Sequence, residues 1–313
     1  MATPVTINSN YAGQFAGEYI GASLLAGTTL SQGLITIKPN VKFKETISKV
    51  DYTSAISSAT CDFTSGGAVE LIERVITPTE LQINLELCKL PFQSDWEAES
   101  MGFSATDVLP PLFSDFFIAR VLADVAQATE QQIWSGSAGA GTFDGFETLF
   151  ADAQFTTDGG ITIAPVAGGI NAGNVVAELG KVSEQISNAN YAKSDLYLYV
   201  AQNVWRSYKS SLGGFQANGV GANGVNGLGN NQDVNILYFD GIKIVVAGGL
   251  SDDRIVGAEK SNLFFATGLM SDYNSLSVLD MAMIDGSKNV RFVARYTAGV
   301  QYGIASDIVY YGA

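Results

Sequence analysis

The stretch 111–134 most constrains what this chain can become. Pro111 suits the first turn of a helix, and Leu112, Phe113, Phe116, Phe117, Val121, Leu122, Val125 and Ile133 recur at helical spacing until Gly136 stops the run just after Trp134. At about 1.5 Å per residue such a helix spans roughly 36 Å, the length of a spine through an elongated subunit. Its apolar stripe must be covered by another layer, and the sequence on both sides of it alternates like strands, so the expected class is α+β.

Upstream, LITIKPNVKF is followed by AVELIERVI and ELQINLEL on either side of Thr77-Pro78-Thr79. Val69, Leu71, Glu73 and Val75 share one face of the first of these two strands, and Leu81, Ile83, Leu85 and Leu87 share one face of the second. Pro78 fixes φ and donates no ladder hydrogen bond, which suits a turn. The pattern predicts a long hairpin over 68–88 whose apolar face needs a partner. Residues 1–32 read as an arm with a weak, glycine-containing helix over 13–26, and Ser94 with Glu97 forms a capping box at a short helix start.

Residues 135–173, rich in Gly, Ala and Thr, read as loops with short strands opening a second lobe. Beyond them the pattern alternates: a helix over 174–188, a strand over 195–200, a helix over 202–212, strands over 235–239 and 242–247, and another over 262–267. The glycine-rich stretch 213–229 reads as a loop. From Leu276 the chain returns to strands, with Val290, Phe292, Ala294 and Tyr296 alternating against Arg291, Val293 and Arg295.

Composition limits the chemistry. The chain has no histidine among its 313 residues, so the commonest general base and metal ligand is missing, and a histidine-dependent serine triad is excluded. Charged residues make up 15% and hydrophobic residues 47%, which excludes disorder and suggests a surface partly covered by neighbours. A net charge of −14 opposes wholesale binding to nucleic acid, and equally keeps an abundant protein soluble. Cys61 and Cys88 lack metal or redox spacing and read as two ordinary thiols rather than a disulfide. The start has no signal-peptide pattern, and no apolar run approaches the ~18 residues of a membrane helix, so synthesis and folding in a cytoplasm are expected.

Motifs of the kinds that carry chemistry fail in context. Gly219, Gly221 and Gly224 match a dinucleotide fingerprint, with Asp240 at the distance of a ribose acid, but a helix precedes them where a strand is required. Asp252, Asp253 and Asp272 suit a hard cation but read better as solvated turn residues. The basic strip Lys38, Lys42, Lys44 and Lys49 is the one charge feature with weight. It reads as a docking strip for an acidic neighbour or a phosphate contact, against the alternative of a charge-guarded edge strand. No catalytic, cofactor or metal residue is assigned.

In order, the arm, hairpin, spine helix, mixed lobe and terminal β segment resemble the tailed-phage major capsid protein, the Hong Kong 97 fold. The local likenesses are CDFTSGGAVELIERVITPTELQINLELCKLPF, DLYLYVAQNVWRSYKS with FDGIKIVVAGGL, and RFVARYTAGVQYGIASDIVYYG. The first is similar to capsid proteins of phages of Bacteroidetes-type hosts. The resemblance implies an N-terminal arm (1–32), an extended loop (33–92), a peripheral domain (93–150 with 276–313) and an axial domain (151–275). It implies assembly of the chain with itself into hexamers and pentamers, an icosahedral head around double-stranded DNA, and portal, scaffold or decoration proteins as further partners. An encapsulin-like nanocompartment shell is the alternative of the same shape. The expected contact residues between subunits are Lys38, Lys42, Lys44, Lys49, Leu81, Ile83 and Leu85.

Overall fold

The computed structural model describes residues 28–41, 43–53, 61, 68–88, 111–139, 141–191, 193–212, 237–268, 275–281, 284, 286–287 and 289–312. The expected arm helix, the capping-box helix, the glycine-rich loop, Lys42 and Asp272 lie outside the described residues.

The spine helix α2 runs Pro111–Ser135, after a short helix α1, Thr28–Ser31. Gly136 ends α2 by donating its N–H to the Gln132 carbonyl at 3.1 Å. Toward that end the helix buries Val121, Ala126, Ile133 and Trp134. Trp134 lies between Phe146 and Tyr199, with ring centroids 5.4 and 5.2 Å away, and its indole N–H donates to the Thr29 hydroxyl at 2.8 Å. The buried Glu130 carboxylate accepts from Thr28 Oγ1 at 3.0 Å, the Thr29 N–H at 3.1 Å and the Thr29 hydroxyl. A buried carboxylate is tolerable here because three donors replace its water.

Two sheets flank this joint. The first contains β1 (Thr36–Pro39), β10 (Leu263–Thr267), β11 (Ser275–Asp280), β12 (Asn289–Tyr302) and β4 (Thr79–Cys88), in the order β1-β10-β12-β11 with β4 also on β12. The second has the order β5-β13-β9-β6-β8-β7, where β5 is Ile161–Ile163, β6 Leu196–Val200, β7 Leu237–Phe239, β8 Ile242–Val246, β9 Ile255–Glu259 and β13 Val309–Tyr311. Helices Val175–Gln185 and Gln202–Ser211 match the expected helices of the mixed lobe. One contiguous core joins both sheets, from Leu30 and Leu34 through Trp134 and Phe150 to Phe292 and Tyr311.

Three expectations need correction. The 68–88 hairpin does not form: β3 (Ala68–Ile76) pairs with β2 (Glu45–Thr53), and β4 pairs with β12 from Cys88↔Asn289 to Thr79↔Ala298. The reason is apolar matching, since β4 sets Leu81 opposite Tyr296 and Ile83 opposite Ala294 and so completes the body core. The two strands part where Thr77-Pro78 crosses β12 closely enough that a Cβ on Gly299 would come within 3.0 Å of Pro78 Cα. Second, part of the expected loop region is helical: Phe146–Ala151 and Ala153–Thr157 bury Phe146, Phe150 and Phe155, and Asp152 caps the second helix by accepting from the Gln154 N–H at 2.9 Å. Third, β9 was not anticipated; it is buried throughout and so shows no alternation. The last strand, β13, joins the second sheet, parallel to β5 and antiparallel to β9.

The C-terminal strand is tied in by its tyrosines. Tyr311 donates to the buried Glu178 carboxylate at 2.9 Å and accepts from the Val166 N–H at 2.7 Å. Burial is the main cause that pushes the phenols of Tyr310 and Tyr311 up to about 12 from 10.0. Between those values the folded state keeps protons that the unfolded chain has lost, so stability falls as pH rises through this window. Denaturant titrations at pH 9 and pH 11.5 should show a lower midpoint at the higher pH, with a smaller loss in Tyr310→Phe. Trp134→Ala should lower unfolding free energy by about 3–5 kcal/mol in the same titration at pH 7.

Candidate functional site

The feature least explained by the needs of one subunit is the two-stranded ribbon β2–β3. Each strand is nine residues long, so the ribbon reaches about 30 Å. The register runs from Glu45↔Ile76 to Thr53↔Ala68, and among the described residues neither strand pairs with any other. An isolated ribbon of this kind is marginal in water and leaves two strand edges open.

Its two faces differ. Toward the body, Ile76 is buried with Val41 and Ala266, and Ile47 and Phe264 pack on that cluster. On the opposite face Leu71 is 57% and Val75 45% exposed, and Phe43 just before β2 is 76% exposed. Exposed apolar side chains in one region of a protein with so few charges make this face the candidate contact surface.

The expected contact residues divide. Lys38 sits on β1, pairs with Glu45 and lies 5.3 Å from the centre of the Phe264 ring, so its charge is engaged within its own chain. Lys44 is exposed, and Lys49 lies opposite Ile72 in the ribbon. Along β4 the apolar face is progressively uncovered: Leu81 is buried, Ile83 is half-buried and Leu85 is exposed. Phe43 was not singled out from sequence, although an aromatic between Lys42 and Lys44 was a readable signal.

Of the residues in motifs that suggested chemistry, Asp240 and Asp253 have structural roles. Asp240 and Gly241, with φ of 50° and 77°, form the two-residue turn between β7 and β8, and the Asp240 carboxylate accepts from Ser183 Oγ at 2.7 Å. The Asp253 carboxylate accepts from the Ile170 N–H at 2.8 Å and Asn203 Nδ2 at 2.7 Å, which makes it a loop organiser. Among the described residues no three His, Cys, Asp or Glu side chains gather as a metal site. Cys61 and Cys88 are free and exposed. A groove of about 560 Å³ lies between α2 and residues 248–251, and its carboxylate, Glu130, is already satisfied by Thr28 and Thr29. Among the described residues no helix is long and apolar enough to cross a membrane.

No family model matches this chain, and no curated protein matches it. Solved structures match over nearly its whole length. A chain of the satellite phage P4 procapsid, which includes the size determination protein, superposes with a TM-score of 0.59 at 10% identity, covering 94% of this chain and 98% of that one. The capsid of a native GTA particle gives 0.59 at 13% identity, covering 91% and 96%. A virus-like particle from Pyrococcus furiosus gives 0.51 at 8% identity, covering 94% and 96%. At these identities the likeness is one of fold: a mixed α/β fold resembling that of phage capsid subunits.

The exposure gradient along β4 separates core from surface. Leu81→Asp should cost about 3–5 kcal/mol in chemical denaturation because it buries an unpaired charge, whereas Leu85→Asp should stay within about 1 kcal/mol of the parent.

Proposed function

We propose that this chain is a shell-building subunit, the major capsid protein of a tailed phage, which closes as hexamers and pentamers into an icosahedral head around double-stranded DNA. The observation that carries this reading is the ribbon β2–β3, whose outward face leaves Leu71 and Val75 uncovered by its own subunit. The fold likeness to phage capsid subunits supports it. Covering about 300 Å² of apolar surface at roughly 25 cal/mol per Å² contributes several kcal/mol per contact before ordering costs are met.

In this reading the protein acts by assembly, without catalysis or cofactor. Residues 1–32 serve as the arm and 33–92 as the extended loop. The peripheral domain comprises 93–150 with 276–313, and the axial domain 151–275. β4 and β13 tie these regions together, because each pairs with a strand from another of them. Lys44 and Lys49 meet an acidic neighbour, joined by Leu85 and the exposed Phe43. The net charge of −14 keeps the wall from adsorbing the genome, which is held without sequence-specific contacts. Portal, scaffold or decoration proteins complete the particle, which is built in the cytoplasm of a bacterial host. The likeness of the segment around Cys61–Cys88 to capsid proteins of phages of Bacteroidetes-type hosts supports that class of host. A second reading of the same shape is an encapsulin-like nanocompartment shell, with which the fold likeness to a virus-like particle from Pyrococcus furiosus is compatible.

Electron microscopy of the protein expressed alone and with its neighbouring genes, followed by analysis of particle contents, tests both readings. Closed shells holding DNA are expected, and shells holding an enzyme would favour the compartment. Leu71→Asp with Val75→Asp should leave the unfolding midpoint nearly unchanged and reduce shell yield at least about tenfold. A uniform monomer under every co-expression condition would refute assembly.

A further inference from the structure

Among the described residues the ribbon is held at its base, and one side chain there makes two separate contacts with the body. Arg74 lies on the body-facing side of β3, opposite Ile47, two register steps from the ribbon base at Ile76↔Glu45. Its Nη2 pairs with the Asp158 carboxylate, and its guanidinium lies 4.3 Å from the centre of the Tyr302 ring. Both partners are themselves fixed. Asp158 follows the helix Ala153–Thr157 and accepts from Gln154 Nε2 at 2.9 Å. Tyr302 packs edge-on to Phe155 with centroids 5.4 Å apart and tilts against Phe150 at 5.8 Å, inside the core that joins the two sheets. Nearby, Gln301 Nε2 donates to the Val75 carbonyl at 3.3 Å.

We propose that Arg74 is the positioning residue of the ribbon, setting the angle at which β2–β3 leaves the body through its ion pair with Asp158 and its stack on Tyr302. A planar cation suits this place because it satisfies a carboxylate and an aromatic face together, which an ammonium does less well. Beyond Arg74 the outward apolar positions depend on the ribbon base for their placement. That angle, on the proposed function, fixes where the contact face meets a neighbour and hence the curvature and size of a closed particle. Arg74 thus couples the 158–160 segment, which leads into β5 of the second sheet, to the surface that neighbours see.

Hydrogen exchange on the full chain as purified, assembled or not, tests the anchor independently of the function. In Arg74→Gln and in Asp158→Asn the amides of β2 and β3 should exchange at least about fivefold faster than in the parent, with the amides of β6, β9 and β12 unchanged. Arg74→Lys should fall between. If Arg74→Gln also loosens those core strands, the near-isosteric Asp158→Asn decides. Unchanged ribbon exchange in the deciding variant overturns the proposal. Particle diameter tests the consequence: a broadened or shifted distribution is expected in both variants, and a parental distribution refutes the link to curvature. Failure of the parent to assemble under any condition would overturn the proposed function and the curvature claim, while the exchange result still judges the anchor.

Discussion

Strand β12 is the member on which the rest of the structure depends. Both its edges are hydrogen-bonded, to β4 on one side and to β11 and then β10 on the other. Its inward residues Val290, Phe292, Ala294, Tyr296 and Ala298 alternate with outward positions that include Arg291 and Arg295. At fourteen residues it is longer than any one of its partners, so it serves several of them in succession. The far end delivers Tyr302 into the ring cluster of Phe150, Phe155 and Tyr310, where the two sheets and the short helices meet. Loss of that alternation would separate β4 from the body and remove the platform under the ribbon base.

The interior and the ribbon obey different rules. Around Trp134, Glu130 and Thr29, polar groups buried between sheets find partners, and Tyr199 donates to the Leu34 carbonyl at 2.6 Å to hold the strap that leads into β1. In the ribbon, one face is packed at its base and the other leaves Leu71 and Val75 exposed. A monomer gains nothing from that arrangement. A ribbon that a neighbour covers gains both apolar burial and a reason to remain ordered.

Where local pattern and tertiary demand coincided, the sequence was readable. The spine helix, the β6 and β8 strands and the helix after β6 lie within a few residues of their expected bounds, because proline, glycine and periodicity all agreed. The hairpin failed because Pro78 marks a turn without specifying which strands lie beside each other; that choice was made by Tyr296 and Ala294, more than two hundred residues away. β9 failed because full burial erases the two-residue period. The candidate surface was half legible: the apolar face of β3 could be seen, but nothing local distinguished Leu81, which enters the core, from Leu85, which does not. Lys38 resembled its basic neighbours in sequence, yet the parallel pairing of β1 with β10 carries it over Phe264 and beside Glu45.

The proposed function sets two forces against each other. Copies that each carry −14 repel when gathered into a closed wall, and salt screens that repulsion over about 8 Å under physiological conditions. Apolar contacts do not depend on screening in this way, so assembly of such a chain must rest on surfaces like the ribbon face, with charge acting as a brake. A brake of this kind has a use. Strand edges and exposed leucines invite pairing in any geometry, and long-range repulsion disfavours every encounter that does not also bury enough apolar area. The low charged fraction and the acidic balance then belong together: few charges leave room for contact, and a consistent sign keeps weak, misaligned contacts from persisting.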